Sequence, residues 1–130
     1  MTNHEIIEKA LGIMRETLSG YILQQLQSIP EYKIDDRWWQ DGVLGALRDP
    51  RDVIKLSPYK AYDERQDAMD MTVCLGLMIA HWPNLFRYKL PPSARSWISE
   101  IQSARNDWAH FDGKDFTDQE AARALDTMSL

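Results

Sequence analysis

The stretch PPSARSWISEIQSARNDWAH, residues 91–110, decides the fold. Its apolar residues recur every three or four positions, which is the spacing of one face of an α-helix. Pro91 and Pro92 suit the first turn of a helix, because proline lacks the N–H group that this turn leaves unpaired. The stretch therefore predicts an amphipathic helix with a packed stripe made of Ala94, Trp97, Ile98, Ile101, Ala104 and Trp108.

The two ends of the chain carry capping signals of further helices. Thr2 with Glu5, and Thr117 with Glu120, have the spacing of a capping box, in which two side chains bond to opposite backbone N–H groups of a helix start. The first pair predicts a helix that stops near Ser28, and the second predicts a final helix. Gly113 marks the exit of the preceding helix or a turn near it.

Two more helices are predicted between these ends. Asp35 and Asp36 are expected to cap a second helix that Asp49-Pro50 ends, and residues 50–62 have no clean period and are interpreted as a loop. A third helix is predicted from about Asp63, and its part in residues 71–80 is apolar almost all round, which indicates a central position.

The fold class predicted from these patterns is all-α, an up-and-down bundle of about five helices in one domain of residues 1–130. No segment alternates apolar and polar residues as a strand does. The sequence stops at Ser129-Leu130 inside a helical pattern, so we expect a fragment of a longer protein or a last helix that docks on something else. The expected core contains Trp97, Ile98, Ile101, Leu75, Ile79, Leu18 and Leu44.

Composition places the chain among ordinary globular domains, since 44% of its residues are hydrophobic and 27% are charged. It carries no signal-peptide pattern and no apolar run of the roughly 20 residues that span a membrane, so we expect a cytoplasmic protein without a membrane partner. The net charge of −5 disfavours nucleic acid as a partner. However, residues 87–105 contain four bases and one acid, a local net of +3, and this segment would hold an anionic ligand.

Most residues that could carry chemistry have a plainer interpretation. His4 is expected to be solvated, His81 to have a hydrogen-bonding or capping role, and Cys74 to be a buried structural thiol. The histidines and the single cysteine show no zinc-ligand spacing, and no glycine-rich phosphate loop is present. The sequence thus predicts neither a metal nor a cofactor.

One constellation remains, Arg105, Asn106 and His110 near the end of the motif helix. Asn106 and His110 are four residues apart and share a helix face, whereas Arg105 and His110 diverge by about 140°. Histidine transfers protons near neutral pH, and a guanidinium can bind phosphoryl oxygens and stabilise charge on them. Spacing alone leaves an alternative open, in which Arg105 pairs with Asp107 or another acid and His110 merely ends the helix.

The hexapeptide at residues 105–110 and the helix before it resemble the HEPN superfamily, whose signature is R-x4–6-H, commonly with a polar residue after the arginine. The likeness is nearest to the Swt-type subgroup, through residues 86–90 and 123–128, and it is firm over residues 70–128. The resemblance implies a small helical domain that usually dimerises and brings two motifs together. Many such domains are metal-independent endoribonucleases that leave a 2′,3′-cyclic phosphate and a 5′-OH.

By motif position, the resemblance makes Arg105 and His110 the catalytic pair and Asn106 their supporting residue. It implies a homodimeric endoribonuclease of toxin–antitoxin or antiviral defence systems, with RNA as substrate and a fused or associated ATPase, helicase or antitoxin as a further partner. The alternative is a non-catalytic module for dimerisation or for binding nucleic acid or nucleotide. Asp112 replaces the tyrosine of family members silenced by AMPylation. Arg87, Lys89 and Arg95 are expected to guide the RNA backbone.

Overall fold

The computed structural model of the protein describes residues 2–110 and 115–128. These residues form seven α-helices and three short 3₁₀ turns, and no strand occurs in the described ranges, so the predicted all-α class is confirmed. The predicted Gly113 turn, the position of Asp112 and the final Ser129-Leu130 lie outside them. The helices are α1 (Asn3–Gln27), α2 (Arg37–Gln40), α3 (Pro50–Leu56), α4 (Tyr62–Ala68), α5 (Met71–Ala80), α6 (Ala94–Ala109) and α7 (Asp118–Met128).

The core lies where α1, α5, α6 and α7 pack together. Helix α5 is buried on most sides and contacts both α1 and α6, as its continuous apolar run predicts. Four of the residues expected in the core are buried, namely Leu18, Leu75, Ile98 and Ile101. The other three, Leu44, Ile79 and Trp97, are half-buried and pack against the core from its edge.

Helices start at both predicted capping positions, with half of the predicted box at Thr2 and the complete box at Thr117. The Thr2 side chain accepts the backbone N–H of Glu5 at the start of α1, which ends at Gln27, one residue before the predicted stop. At α7 the box is reciprocal, because Glu120 N–H bonds to Thr117 Oγ1 and Thr117 N–H bonds to Glu120 Oε1. The two helices that frame the motif helix are therefore fixed by local sequence.

The expectation for residues 50–62 was wrong, because this segment contains α3 and the start of α4. Asp49-Pro50 does not end a helix but begins one: Asp49 accepts the N–H of Arg51, and Pro50 occupies the first turn. The predicted second helix is correspondingly short. It ends at Gln40, and residues 44–46 form a separate 3₁₀ turn.

The predicted third helix is interrupted at Met69-Asp70, which separates α4 from α5. Asp70 accepts the N–H of Val73 and caps α5, so a new helix starts there. Of the two residues predicted to cap α2, Asp36 occupies the N-cap position, but no side-chain capping bond forms there, because its carboxylate binds Arg65 instead.

In the part of the chain that the structure describes, no helix combines the length and the apolar character needed to cross a membrane.

Candidate functional site

The motif occupies the last turn of α6. The helix ends at Ala109, and His110 is its C-terminal cap, with its backbone N–H bonded to Asn106 O at 3.0 Å. Arg105 is half-buried, whereas Asn106 and His110 are exposed. Solvent therefore reaches all three predicted site residues.

Helix geometry separates these side chains into two directions. Asn106 and His110 project from one face, while Arg105 is about 140° from His110 and in line with the buried positions Ile98 and Ile101. The arginine is nevertheless only half-buried, since it lies at the helix end, where the packed surface runs out. Within one protomer, the helix thus points the guanidinium and the imidazole to different sides.

None of the three side chains forms a hydrogen bond or an ion pair with another residue of ranges 2–110 and 115–128. The ion pairs in these two ranges are all formed by residues outside the motif. The alternative in which Arg105 pairs with Asp107 or with an acid of a neighbouring helix is therefore not observed in these ranges. A half-buried guanidinium without an anion loses part of its hydration without compensation. The site is thus suited to an external anion.

The other buried cationic groups of the bundle do have partners. Arg65, 3% exposed, donates to both carboxylate oxygens of Asp36 at 2.9 and 2.6 Å and to Tyr59 O at 2.9 Å. Its guanidinium also lies 5.2 Å from the ring centre of Trp38 and 4.7 Å from that of Trp39. This contact holds α4 against α2 and is fully explained by the fold.

His81 was correctly predicted to cap and to hydrogen-bond. It is 7% exposed and follows α5 as its C-cap residue. Its Nε2 lies 2.7 Å from Gly42 O, and since a carbonyl oxygen only accepts, Nε2 carries the hydrogen. Gly42 is required there, because a Cβ at this position would lie 2.3 Å from Trp38 O.

The expectation that His4 is solvated was wrong. Its ring stacks on the indole of Trp108, with ring centres 5.6 Å apart and planes at 13°, and its Nε2 lies 3.1 Å from Trp108 O. Phe116 stacks on the same imidazole at 6.4 Å. The first turn of α1 thus packs directly against the turn of α6 that carries the motif.

Asp115 extends this contact. Its carboxylate accepts the backbone N–H groups of Asn3 at 3.0 Å and His4 at 2.7 Å, which are two of the N–H groups that a helix start leaves unpaired. The Asn3 side chain donates in turn to Phe116 O at 2.8 Å. The start of α1, the end of α6 and the segment before α7 are therefore joined beside the motif.

A cleft of about 310 Å³ separates the other flank of α6 from α7, and Glu100, Asp107 and Glu120 are among the residues that line it. Glu100 spans the two helices, since it accepts from Arg123 and from the Thr127 hydroxyl, both at 2.6 Å. These bonds, that of Thr127 first, lower the pKa of the Glu100 carboxyl. The acids of α6 thus face α7. Around the helix, Asn106 is about 100° from Asp107 and His110 is about 60° from it.

The basic residues predicted to guide RNA are not gathered at the motif. Arg87 and Lys89 precede α6, and Arg95 is in its first turn. Helix rise puts Arg95 about 15 Å from Arg105 along the axis. All three are exposed, and Arg95 bonds only to Ser99 on its own helix among the described contacts.

Among residues 2–110 and 115–128, no group of three or more His, Cys, Asp or Glu is arranged to hold a metal ion. Cys74 is buried in α5 as predicted, and burial raises the pKa of its thiol to about 12.

Comparison with known proteins gave one match. The family model described as Swt1-like HEPN matches residues 9–130, which include α6, the motif and α7. No curated protein and no solved structure matches the chain.

Proposed function

The chain belongs to the Swt1-like HEPN family, which covers nearly all of it, and on this premise we propose that it is a metal-independent endoribonuclease acting as a homodimer. Arg105 binds the scissile phosphate, His110 transfers protons, and Asn106 orients the imidazole or a phosphoryl oxygen. The products are a 2′,3′-cyclic phosphate and a 5′-OH.

The observation that carries the proposal is the state of the motif side chains. The side chains of Arg105, Asn106 and His110 are accessible to solvent and bond to no other described residue, whereas those of Arg65 and His81 are buried and have protein partners. An arginine that only stabilised the fold would be expected to bond to protein atoms, as Arg65 does to Asp36 and as the half-buried Arg15 does to the carbonyl oxygens of Gln66 and Met69.

The reaction needs only these groups, because RNA carries its own nucleophile. The 2′-oxygen attacks the adjacent phosphorus and forms the cyclic phosphate, while the bond from phosphorus to the 5′-oxygen breaks. The 2′-OH proton goes to a base and the 5′-oxygen receives a proton, and an imidazole can serve at either step. The Arg105 guanidinium stabilises the charge that grows on the phosphoryl oxygens in between.

A second copy of the chain would bring together the two side chains that diverge on one helix. Since Arg105 and His110 diverge by about 140° on one helix, one protomer does not readily aim both at one phosphate. A two-fold axis near the end of α6 would place Arg105 of the partner subunit beside His110. Dimerisation is common among HEPN domains, which supports this arrangement.

The test is cleavage of a fluorescent single-stranded RNA in buffer containing a chelator. We expect cleavage by the wild type and a loss of about 10²–10⁴-fold in kcat for His110→Ala, the range for removal of an acid–base group. Ser103→Ala is the matched control, because Ser103 is an exposed residue of the same helix outside the motif. It should cleave normally.

Equal cleavage by His110→Ala would reject the assignment of His110. No cleavage by purified wild type would favour the other candidate, a domain that binds nucleotide or nucleic acid without cutting it. The net charge of −5 opposes strong binding of RNA, so within that candidate it favours a small nucleotide over a nucleic acid as the ligand. A mononucleotide should then raise the melting temperature.

A biological role in toxin–antitoxin or phage defence follows from the same proposal. Expression of the wild-type chain should slow the growth of its host, and Arg105→Ala or His110→Ala should relieve this. Growth inhibition of equal size by these variants would contradict the role.

A further inference from the structure

We propose that Trp82, Arg87 and Tyr88 form a platform, at the end of the bundle where α6 begins, on which an unpaired base of single-stranded RNA stacks. The platform would hold the strand upstream or downstream of the cleaved phosphate. This inference rests on the proposed function, but it concerns a surface outside the motif.

The exposed ring of Tyr88 is the first observation. Tyr88 is 71% exposed and is the aromatic member of the large exposed hydrophobic residues found in the described ranges. Its sequence neighbours Arg87 and Lys89 are exposed cations, and the Arg87 guanidinium lies 5.0 Å from the ring centre. A flat ring between two cations is the combination by which proteins bind single strands, since every base has a π-face and every nucleotide a phosphate.

A cleft beside this ring is the second observation. It has a volume of about 360 Å³ and is lined by Trp82, Pro83, Arg87 and Pro92. Trp82 is half-buried, so the fold fixes part of its indole and leaves another part at the surface. Arg87 belongs to both features, because it lines the cleft and covers Tyr88, and therefore joins them into one surface.

The outer face of α6 connects this surface to the motif. Arg95, Asn106 and His110 project within about 60° of one another around the helix. The acids Glu100 and Asp107 lie on the opposite flank and line the cleft against α7. At 100° per residue, Asp107 and Glu100 are about 60° and 80° beyond His110 around the helix. A polyanion that leaves the platform can thus follow α6 past Arg95 to Asn106, and it reaches His110 at the border of the acidic flank.

The charge of the surface favours RNA over a peptide as the occupant. In a chain whose net charge is −5, three of the four bases of residues 87–105, namely Arg87, Lys89 and Arg95, are at or before the first turn of α6, next to the rings. Unpaired bases also explain why both aromatic faces and cations are present. A duplex keeps its bases stacked inside and could use only the cations.

The experiment measures binding of short fluorescein-labelled oligoadenylate and oligouridylate by anisotropy, with His110→Ala as a non-cleaving background. Tyr88→Ala in this background should weaken binding about tenfold, and Tyr88→Phe, which keeps the ring, should restore it. Arg87→Ala should weaken binding and reduce the slope of log affinity against log salt by about one.

The control for charge is Arg51→Ala, which removes the same charge from an exposed arginine of α3 that pairs with Asp49. It should change neither affinity nor slope. Equal affinity of Tyr88→Ala and its background, or equal loss with Arg51→Ala and Arg87→Ala, would overturn the platform, as would the absence of binding to both oligonucleotides. Cleavage by the wild type is scored separately, so a failed platform and a failed ribonuclease are distinguishable.

Discussion

Two arginines and two histidines of this bundle are in opposite environments. Arg65 and His81 are buried, and each bonds to protein atoms 29 or more residues away in sequence. Arg105 and His110 are at the end of one helix and accessible to solvent, and their side chains bond to no other described residue. The same two residue types therefore hold the fold together in one place and are left available in the other.

The difference shows that residue type alone does not determine the role of an arginine, because its surroundings do. The Arg65 guanidinium has an acid, a carbonyl and two indole rings around it, so its charge is compensated within the protein. Arg105 has no comparable surroundings in the described structure, and a phosphate would supply what is missing. Identical substitutions at the two sites should consequently affect different measurements.

The largest effect is expected for Arg105→Lys. Lysine keeps the charge but loses the planar fork that binds two phosphoryl oxygens at once, so cleavage should fall about 10²-fold. The free energy of unfolding should change by less than about 0.5 kcal/mol, because no described protein contact is lost. The measurement pairs the RNA cleavage rate with urea unfolding. Unchanged cleavage together with a large loss of stability would make Arg105 a structural residue like Arg65.

The next effect is that of Arg65→Lys. An ammonium group cannot bond to both oxygens of Asp36 and stack on the two indoles, so the free energy of unfolding should fall by about 2 kcal/mol. Arg37→Lys is the matched control, since Arg37 makes an exposed pair with Asp41 that contributes little. Urea unfolding monitored by circular dichroism measures both. If the two variants lose equal stability, the buried contact does not have the strength assigned to it here.

The sequence predicted those parts of the fold that local signals specify. The capping boxes at Thr2 and Thr117 and the stripe of α6 each lie within a few turns of chain, and the corresponding helices formed. Asp49-Pro50 failed as a signal because the same dipeptide suits both the end of one helix and the start of the next. In the structure, Asp49-Pro50 starts α3.

Contacts between distant residues were beyond the reach of the sequence pattern. Asp36 is of a residue type that commonly caps helices, but its carboxylate binds Arg65. His4 is 104 residues from Trp108, and no periodicity links the two positions. The predicted site residues share one helix turn, but their environment depends on such distant contacts, so whether they had partners could not be inferred from spacing.

A smaller effect is expected for His4→Ala, which changes the contact between the start of α1 and the end of α6. The substitution removes the stack on Trp108 and the bond to its carbonyl, which should cost about 1 kcal/mol. Because Trp108 is two residues before His110, cleavage should also weaken. Glu8→Ala, an exposed change on the same helix, is the control and should affect neither. A normal unfolding curve for His4→Ala would show that the junction does not contribute to stability.

The smallest expected effect is a loss of stability at acidic pH, which comes from the carboxylate that pairs with Arg65. The hydrogen bond from Arg65 lowers the pKa of Asp36 below its ordinary value of 3.8. The unfolded chain therefore binds the proton more readily, so this stabilisation is complete above 3.8 and is lost as the pH falls below that value and through the lower pKa of the folded state. Asp36 is half-exposed, so the loss should stay below about 1 kcal/mol.

Urea unfolding on either side of pH 3.8 should show a shallower decline of stability for Asp36→Asn than for the wild type. Asp49→Asn should change the slope less, because its partner Arg51 is almost fully exposed. Equal slopes for Asp36→Asn and the wild type would mean that Arg65 is compensated by something other than this carboxylate, and the contrast with Arg105 would then rest on burial alone.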